Sequence, residues 1–153
     1  MKSKKNLACF CAVLGVTASM MILAGCGGSK NYADGTYEGQ STLYENEDGS
    51  EEGNGYGVVN IIVKDNKIVD ATFKTYEPDG TPKGEDYGKA EGEIANRDYY
   101  NKAQKAVAAC DQYAAMLVAN GQLEGIDAIS GATINYGQFQ EAVKEALKKA
   151  EVK

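Results

Sequence analysis

Two hydroxyls near the C-terminal end of the chain are spaced for work on an anion. They lie in Asp127-Ala-Ile-Ser-Gly-Ala-Thr133, where Ser130 and Thr133 flank Gly131 and Ala132. The two middle residues carry almost no side chain, so a bulky group could lie against the backbone. The motif runs into a segment, Tyr136 to Lys149, with apolar residues at Tyr136, Phe139, Val143, Ala146 and Leu147. Those spacings put them on one face of a helix. The motif therefore belongs at a helix N-terminus, where several backbone N–H groups lack partners and the dipole is positive. Such a place suits an anion, phosphate above all. A Ser-x-x-Thr before a helix also has a plainer use, because these side chains cap the free N–H groups.

The pattern Asp-x-x-Ser-Gly-Ala-Thr resembles the flavinylation motif of the FMN-binding domain family, which includes the flavin-carrying subunits of the Rnf and sodium-pumping quinone reductase complexes. The resemblance extends from about Asp34 to Ala150 and takes in an Asp-Gly-Thr-Tyr start at Asp34 to Tyr37. It implies that Thr133 carries FMN through a phosphoester bond. A separate flavin transferase would make that bond, taking FMN from FAD outside the cytoplasmic membrane. Ser130, Gly131 and Ala132 would form the tight turn on the phosphate side, with Asp127 as the leading acid. Family members often continue with a Thr-Ser pair two and three residues after the modified Thr. Here those positions are Asn135 and Tyr136. Tyr136 is a candidate to border the flavin ring or phosphate, with a place in the core stripe beside Phe139 as the other reading.

The N-terminus carries an address. Lys2, Lys4 and Lys5 precede an apolar run from Leu7 to Leu23, which ends in Leu23-Ala24-Gly25-Cys26. This is the pattern of a bacterial lipoprotein signal, cleaved before Cys26 with lipid added to that cysteine. An uncleaved transmembrane anchor is the competing reading, and the run is short for one. The expected division is a signal peptide over 1–25, a lipidated tether over 26–33 and an FMN-binding domain over 34–153. Removing 25 of 153 residues leaves 128, enough for one domain with a core. Loss of three lysines takes the net charge from −6 to −9. An acidic surface argues against nucleic acid and against direct binding to anionic lipid. The membrane contact would run through the lipid on Cys26 alone.

Of four cysteines, Cys9 and Cys11 leave with the signal and Cys26 takes lipid, so Cys110 remains as a buried structural thiol. The chain has no His. That removes Ser-His and Cys-His nucleophilic sites, His-ligated haem and the usual His-containing zinc sites. No catalytic residue and no metal ligand set is expected. Redox work with these side chains needs a cofactor.

The remaining segments must position the motif. Gly35 to Leu43 alternates as a first strand. Glu45 to Gly55 holds five acids and no base, and lacks the ligand spacing of an EF-hand, so it reads as a solvated hairpin loop. Tyr56 to Lys64 and Lys67 to Tyr76 form a hairpin about the turn Asp65-Asn66. In the second strand Ile68, Asp70, Thr72 and Lys74 alternate against Val69, Ala71, Phe73 and Thr75. Glu77 to Asn96 contains both prolines and is either a wall of the site or a surface excursion. From Arg97 to Asn120 the pattern is helical, with Tyr100, Ala103, Val107, Cys110, Ala114 and Leu117 as the core stripe. Asn96 and Gly121 suit its caps. Tyr99, Tyr100 and Tyr113 read as packing. The expected fold is α+β, a small antiparallel sheet packed with two helices.

The resemblance implies a membrane-tethered electron carrier. It would work between a membrane dehydrogenase, or another redox partner, and an extracytoplasmic acceptor, and flavin reductase activity is compatible with it. A tether through the phosphate leaves the ring free to reach partners and prevents cofactor loss where cytoplasmic pools cannot resupply it. The alternative is a non-redox surface lipoprotein, ligand-binding or antigenic, without flavin. It accounts for the lipid signal and the acidic surface and leaves Asp127 to Thr133 without a purpose.

Overall fold

The computed structural model describes residues 30–152. The signal peptide and Cys26 lie outside them. Three strands, β1 (Gly35–Gln40), β2 (Tyr56–Lys64) and β3 (Lys67–Tyr76), pair antiparallel in that order. Two helices follow, α1 (Arg97–Asn120) and α2 (Thr133–Ala150). This is the α+β arrangement expected from the sequence. β1 stops three residues short of Leu43, although Ser41 continues the pairing by accepting from Gly57 N–H at 2.9 Å through its hydroxyl.

The β2–β3 turn has Asp65 and Asn66 at φ 50° and 62°, the left-handed region these two side chains tolerate. The alternation in β3 needs one correction. Val63 pairs with Ile68 and Ile62 with Asp70, so a bulge leaves Val69 unpaired. The phase changes across it. Ile68 is buried on the same side as Phe73 and Thr75, and Val69 turns outward.

Both helices cover the face that carries Val59, Ile61, Val63 and Phe73, with α2 on β1 and β2 and α1 on β3. A helix of this length hides its apolar stripe only against a partner surface, and the pleat supplies one. Val59, Ile61, Phe73, Tyr113, Leu117, Phe139 and Val143 make the fully buried centre. Phe73 meets Phe139 edge-on at 5.3 Å, and Tyr113 stacks on Phe139 at 5.2 Å. Asn96 caps α1 by accepting from Tyr99 N–H at 3.1 Å, and Gly121 ends it at φ 72°. The segment before β1 is pinned to the end of α2. Ala33 N–H donates to the Ala150 carbonyl and Val152 N–H to the Asn31 carbonyl, both at 2.8 Å.

Gly39 brings β1 against α2. A β-carbon at this position would overlap the Ala142 carbonyl. The strand thus lies directly under the helix, where a larger residue would hold them apart.

Candidate functional site

α2 begins at Thr133 with Ala132 as its N-cap, and no side chain caps it. Ser130 and Thr133 therefore do not play the capping part. The first-turn N–H groups keep their partial positive charge facing outward. The turn before the helix is tight because Gly131 sits at φ 82°, and Ala132 N–H closes it on the Ile129 carbonyl at 3.0 Å. Ala132 is buried, whereas Ser130, Gly131 and Thr133 are exposed. A β-carbon on Gly131 would stand 3.4 Å from Lys105 Nζ. An ammonium from α1 thus hangs beside the turn. Backbone donors, a helix end and a lysine converge there, which is a donor set suited to a phosphate.

Thr133 also stands on the rim of a cavity of about 230 Å³. Its lining includes Gly53, Lys83, Tyr87, Tyr99, Val107 and Ile134. Sites that enclose a whole small ligand usually measure about 300–1,000 Å³. At this size it would enclose only part of a larger ligand.

The cavity draws on the hairpin loop, the end of β3, the Glu77–Asn96 segment, both helices and the turn before α2. The Glu45–Gly55 loop is closed at its base by Tyr44 and Gly55 and knitted by the Asn46 side chain, whose Nδ2 donates to the Ser50 carbonyl at 3.3 Å and to Asn54 Oδ1 at 3.2 Å and whose Oδ1 accepts from the Tyr44 hydroxyl at 2.9 Å. It was expected only to be solvated, yet its Glu52 and Gly53 border the cavity. Gly53 packs on α2, since a β-carbon there would lie 2.6 Å from Ile134 Cδ1. Its N–H donates to the Tyr87 hydroxyl at 3.1 Å, and its carbonyl accepts from Lys83 Nζ at 3.1 Å. Glu52 pairs with Lys102 of α1 across the mouth. Among the described residues no three His, Cys, Asp or Glu side chains gather as a metal site.

The Glu77–Asn96 segment supplies one wall, through Lys83 and Tyr87. Lys83 extends the sheet edge, its N–H donating to the Thr75 carbonyl at 2.9 Å, and is only 8% exposed. Its ammonium lies 4.8 Å from the Tyr87 ring centre, within cation–π range. Burial pulls Lys83 down to about 8, partly opposed by Glu77, and pushes Tyr87 up to about 12. At the back, Asn135 Nδ2 donates to the Ala106 carbonyl at 2.9 Å and to Cys110 Sγ at 3.3 Å. Thr75 Oγ1 is 3.8 Å from the same sulfur. Burial raises the Cys110 thiol, so it stays neutral.

The motif residues are not all together. Gly131, Ala132 and Thr133 border the cavity, Ser130 lies on the exposed turn beside it, and Asp127 is exposed outside the lining. Tyr136 does not border the cavity. Its hydroxyl donates to the Ile126 carbonyl at 2.5 Å and its ring packs on Tyr113 at 5.6 Å. It packs against the core. Tyr99 is the opposite correction, since it lines the cavity instead of packing inside. Lys83, Tyr87 and Lys105 were not legible as site residues. The one signal was Lys83 itself, one of two bases in an acidic loop, set between Pro82 and Gly84.

The model of the FMN-binding domain family matches residues 52–148. The chain belongs to the FMN-binding domain family. No curated protein matches it. A Clostridium perfringens protein known from a crystal structure is 22% identical with a TM-score of 0.54, over 78% of this chain and 88% of that one. That likeness is one of fold. A Clostridium thermocellum protein known from a solution structure is 28% identical with a TM-score of 0.38, over 78% and 92% of the two chains.

Proposed function

We propose that this FMN-binding protein holds its flavin covalently on Thr133 and carries electrons outside the cytoplasmic membrane, anchored there by lipid on Cys26. One observation carries the reading. An exposed hydroxyl, on an uncapped helix start beside a lysine, opens onto a cavity that fits only part of a ligand.

The parts have distinct tasks. Thr133 Oγ would bond to the FMN phosphorus, replacing the P–O–P link of FAD, with AMP leaving and the hydroxyl proton passing to a base of the transferase. The α2 N–H groups and Lys105 would offset the remaining phosphate charge. The flavin supplies one- and two-electron redox chemistry that the side chains lack. Tyr87, Tyr99, Val107 and Ile134 would cover part of the ring and keep water from it. Its uncovered edge would meet a membrane dehydrogenase on one side of the exchange and an extracytoplasmic acceptor on the other.

The test is the intact mass of the domain made together with a flavin transferase. A gain equal to FMN minus water, surviving denaturation and absent in Thr133→Ala, is expected. Persistence of bound flavin in that variant would remove the assignment. A colourless, unmodified wild type would return the chain to the class of surface lipoproteins without flavin.

A further inference from the structure

Among the charged groups that line the cavity, Glu52, Lys83 and Lys102, one is used by neither attachment nor anchoring and has no ion-pair partner among the described residues. Three lysines approach the cavity, and their surroundings differ. Lys105 stands beside Gly131 at the turn. Lys102 is committed to Glu52 at the mouth. Lys83 is buried in the wall, on the far side of Gly53, where its Nζ finds one carbonyl acceptor and the Tyr87 ring. No carboxylate lies within ion-pair reach of it among the described residues. A buried ammonium without a counter-charge is costly unless something else in the site balances it.

We propose that Lys83 is the cation that faces the flavin ring and raises its reduction potential, an inference that rests on FMN being held at Thr133. Reduction brings two electrons from the redox partner and one proton from solvent, which leaves one net negative charge on the ring. A fixed positive charge in a cavity screened from water favours that state over the oxidised one. The cavity thus has two cationic positions with separate work, Lys105 toward the phosphate and Lys83 toward the ring.

The other ionisable groups around Lys83 leave this role to it. From its own segment Glu77 and Tyr87 approach, from α1 Tyr99, Lys102 and Cys110, and from the hairpin loop Glu52. The Cys110 thiol and the Tyr87 phenol are pushed upward and stay neutral, and Glu52 and Lys102 neutralise each other. α2 contributes Thr133, Ile134 and Asn135, none of them ionisable.

Midpoint potentials of the flavin-loaded wild type, Lys83→Met and Lys83→Arg chains, from neutral to alkaline pH, test the proposal. Lys83→Met should shift the redox equilibrium at least tenfold toward the oxidised form, about 30 mV for a two-electron couple. Lys83→Arg should stay near the wild type at neutral pH. On the alkaline side only the wild type should steepen, by a further factor approaching ten per pH unit, because reduction then also protonates Lys83. The arginine chain should not, since guanidinium keeps its proton. In the chain without flavin, the Lys83 ammonium followed by NMR should titrate near 8. Loaded Lys83→Met with an unchanged potential overturns the proposal, and reduced loading with an unchanged potential places the ammonium on the phosphate instead. Should Lys83→Met fail to fold, the wild-type and arginine pH profiles decide. A wild type that takes no flavin overturns the Thr133 reading and this one with it, an outcome the mass measurement separates from failure of Lys83 alone.

Discussion

Asn135 reaches across from the first turn of α2 and donates to the Cys110 thiol of α1 at 3.3 Å. The same amide donates to the Ala106 carbonyl at 2.9 Å. Otherwise the two helices meet sparingly, since each packs mainly on the sheet. Asn135, two residues beyond Thr133, thus fastens the back of the cavity, alongside the Tyr113 hydroxyl, which donates to the Ala132 carbonyl at 3.2 Å.

Asn135→Ala should destabilise the domain by about 1–3 kcal/mol, because it removes two side-chain hydrogen bonds from a buried corner. Urea unfolding measures this. Alkylation of Cys110 should be slow in the native wild type, where burial holds the thiol neutral, and faster in the variant. Equal alkylation rates would show that the amide does not hold this corner shut.

Two glycines that touch α2 should respond in opposite directions. Gly39→Ala collides with the Ala142 backbone, which cannot rotate away as a side chain would, and should cost about 3 kcal/mol or more. Gly137 lies within α2 with nothing inside 4 Å of its would-be β-carbon. Gly137→Ala should stabilise by about 0.5–1 kcal/mol through helix propensity. Thermal unfolding of the pair tests the strand–helix contact.

Lys83 should write itself into the pH dependence of folding. Its folded value is near 8 against 10.5 for the free side chain. Below about 8 it is protonated in both states and the full cost of burying the charge is present. Between about 8 and 10.5 the folded chain has released the proton while the unfolded chain still holds it. Stability relative to Lys83→Met should therefore rise through this window, by on the order of 2–3 kcal/mol. The opposing contributions of Cys110 and Tyr87 are common to both chains and cancel. Parallel stability curves for the two unloaded chains would refute the burial of this charge.

Tyr136→Phe should weaken folding by about 1 kcal/mol, through loss of the bond to the Ile126 carbonyl, and leave the flavin spectrum and potential where they were. A changed potential would mean that this ring senses the cofactor after all.

The elements were legible because their signals are local. The Asp65-Asn66 turn, the Asn96 and Gly121 caps and the α2 stripe follow from spacing and capping chemistry and lie where they were expected, whereas in α1 the buried face is Ala103, Ala109, Cys110, Tyr113, Ala114 and Leu117, with the expected Tyr100 and Val107 only half-buried. The motif's position at a helix start was legible for the same reason. The cavity was not. Lys83, Tyr87, Tyr99 and Lys105 converge from a loop and one helix only through tertiary packing, and no period in the sequence links them. The phase change at Val69 was hidden likewise, because a bulge is one inserted residue that alternation cannot reveal. Tyr136 misled by proximity. It is near Thr133 along the chain, and the turn of the helix points it elsewhere.

The pairing of Asn31 and Ala33 with the last turn of α2 gives the molecule two poles. Both ends of the described residues gather at one. Thr133 begins the same helix at the other, and 18 residues at about 1.5 Å each separate them by roughly 25 Å. A lipid on Cys26 would hold the first pole toward the bilayer and raise the cofactor end like a lamp on a post, turned to whatever passes above the membrane.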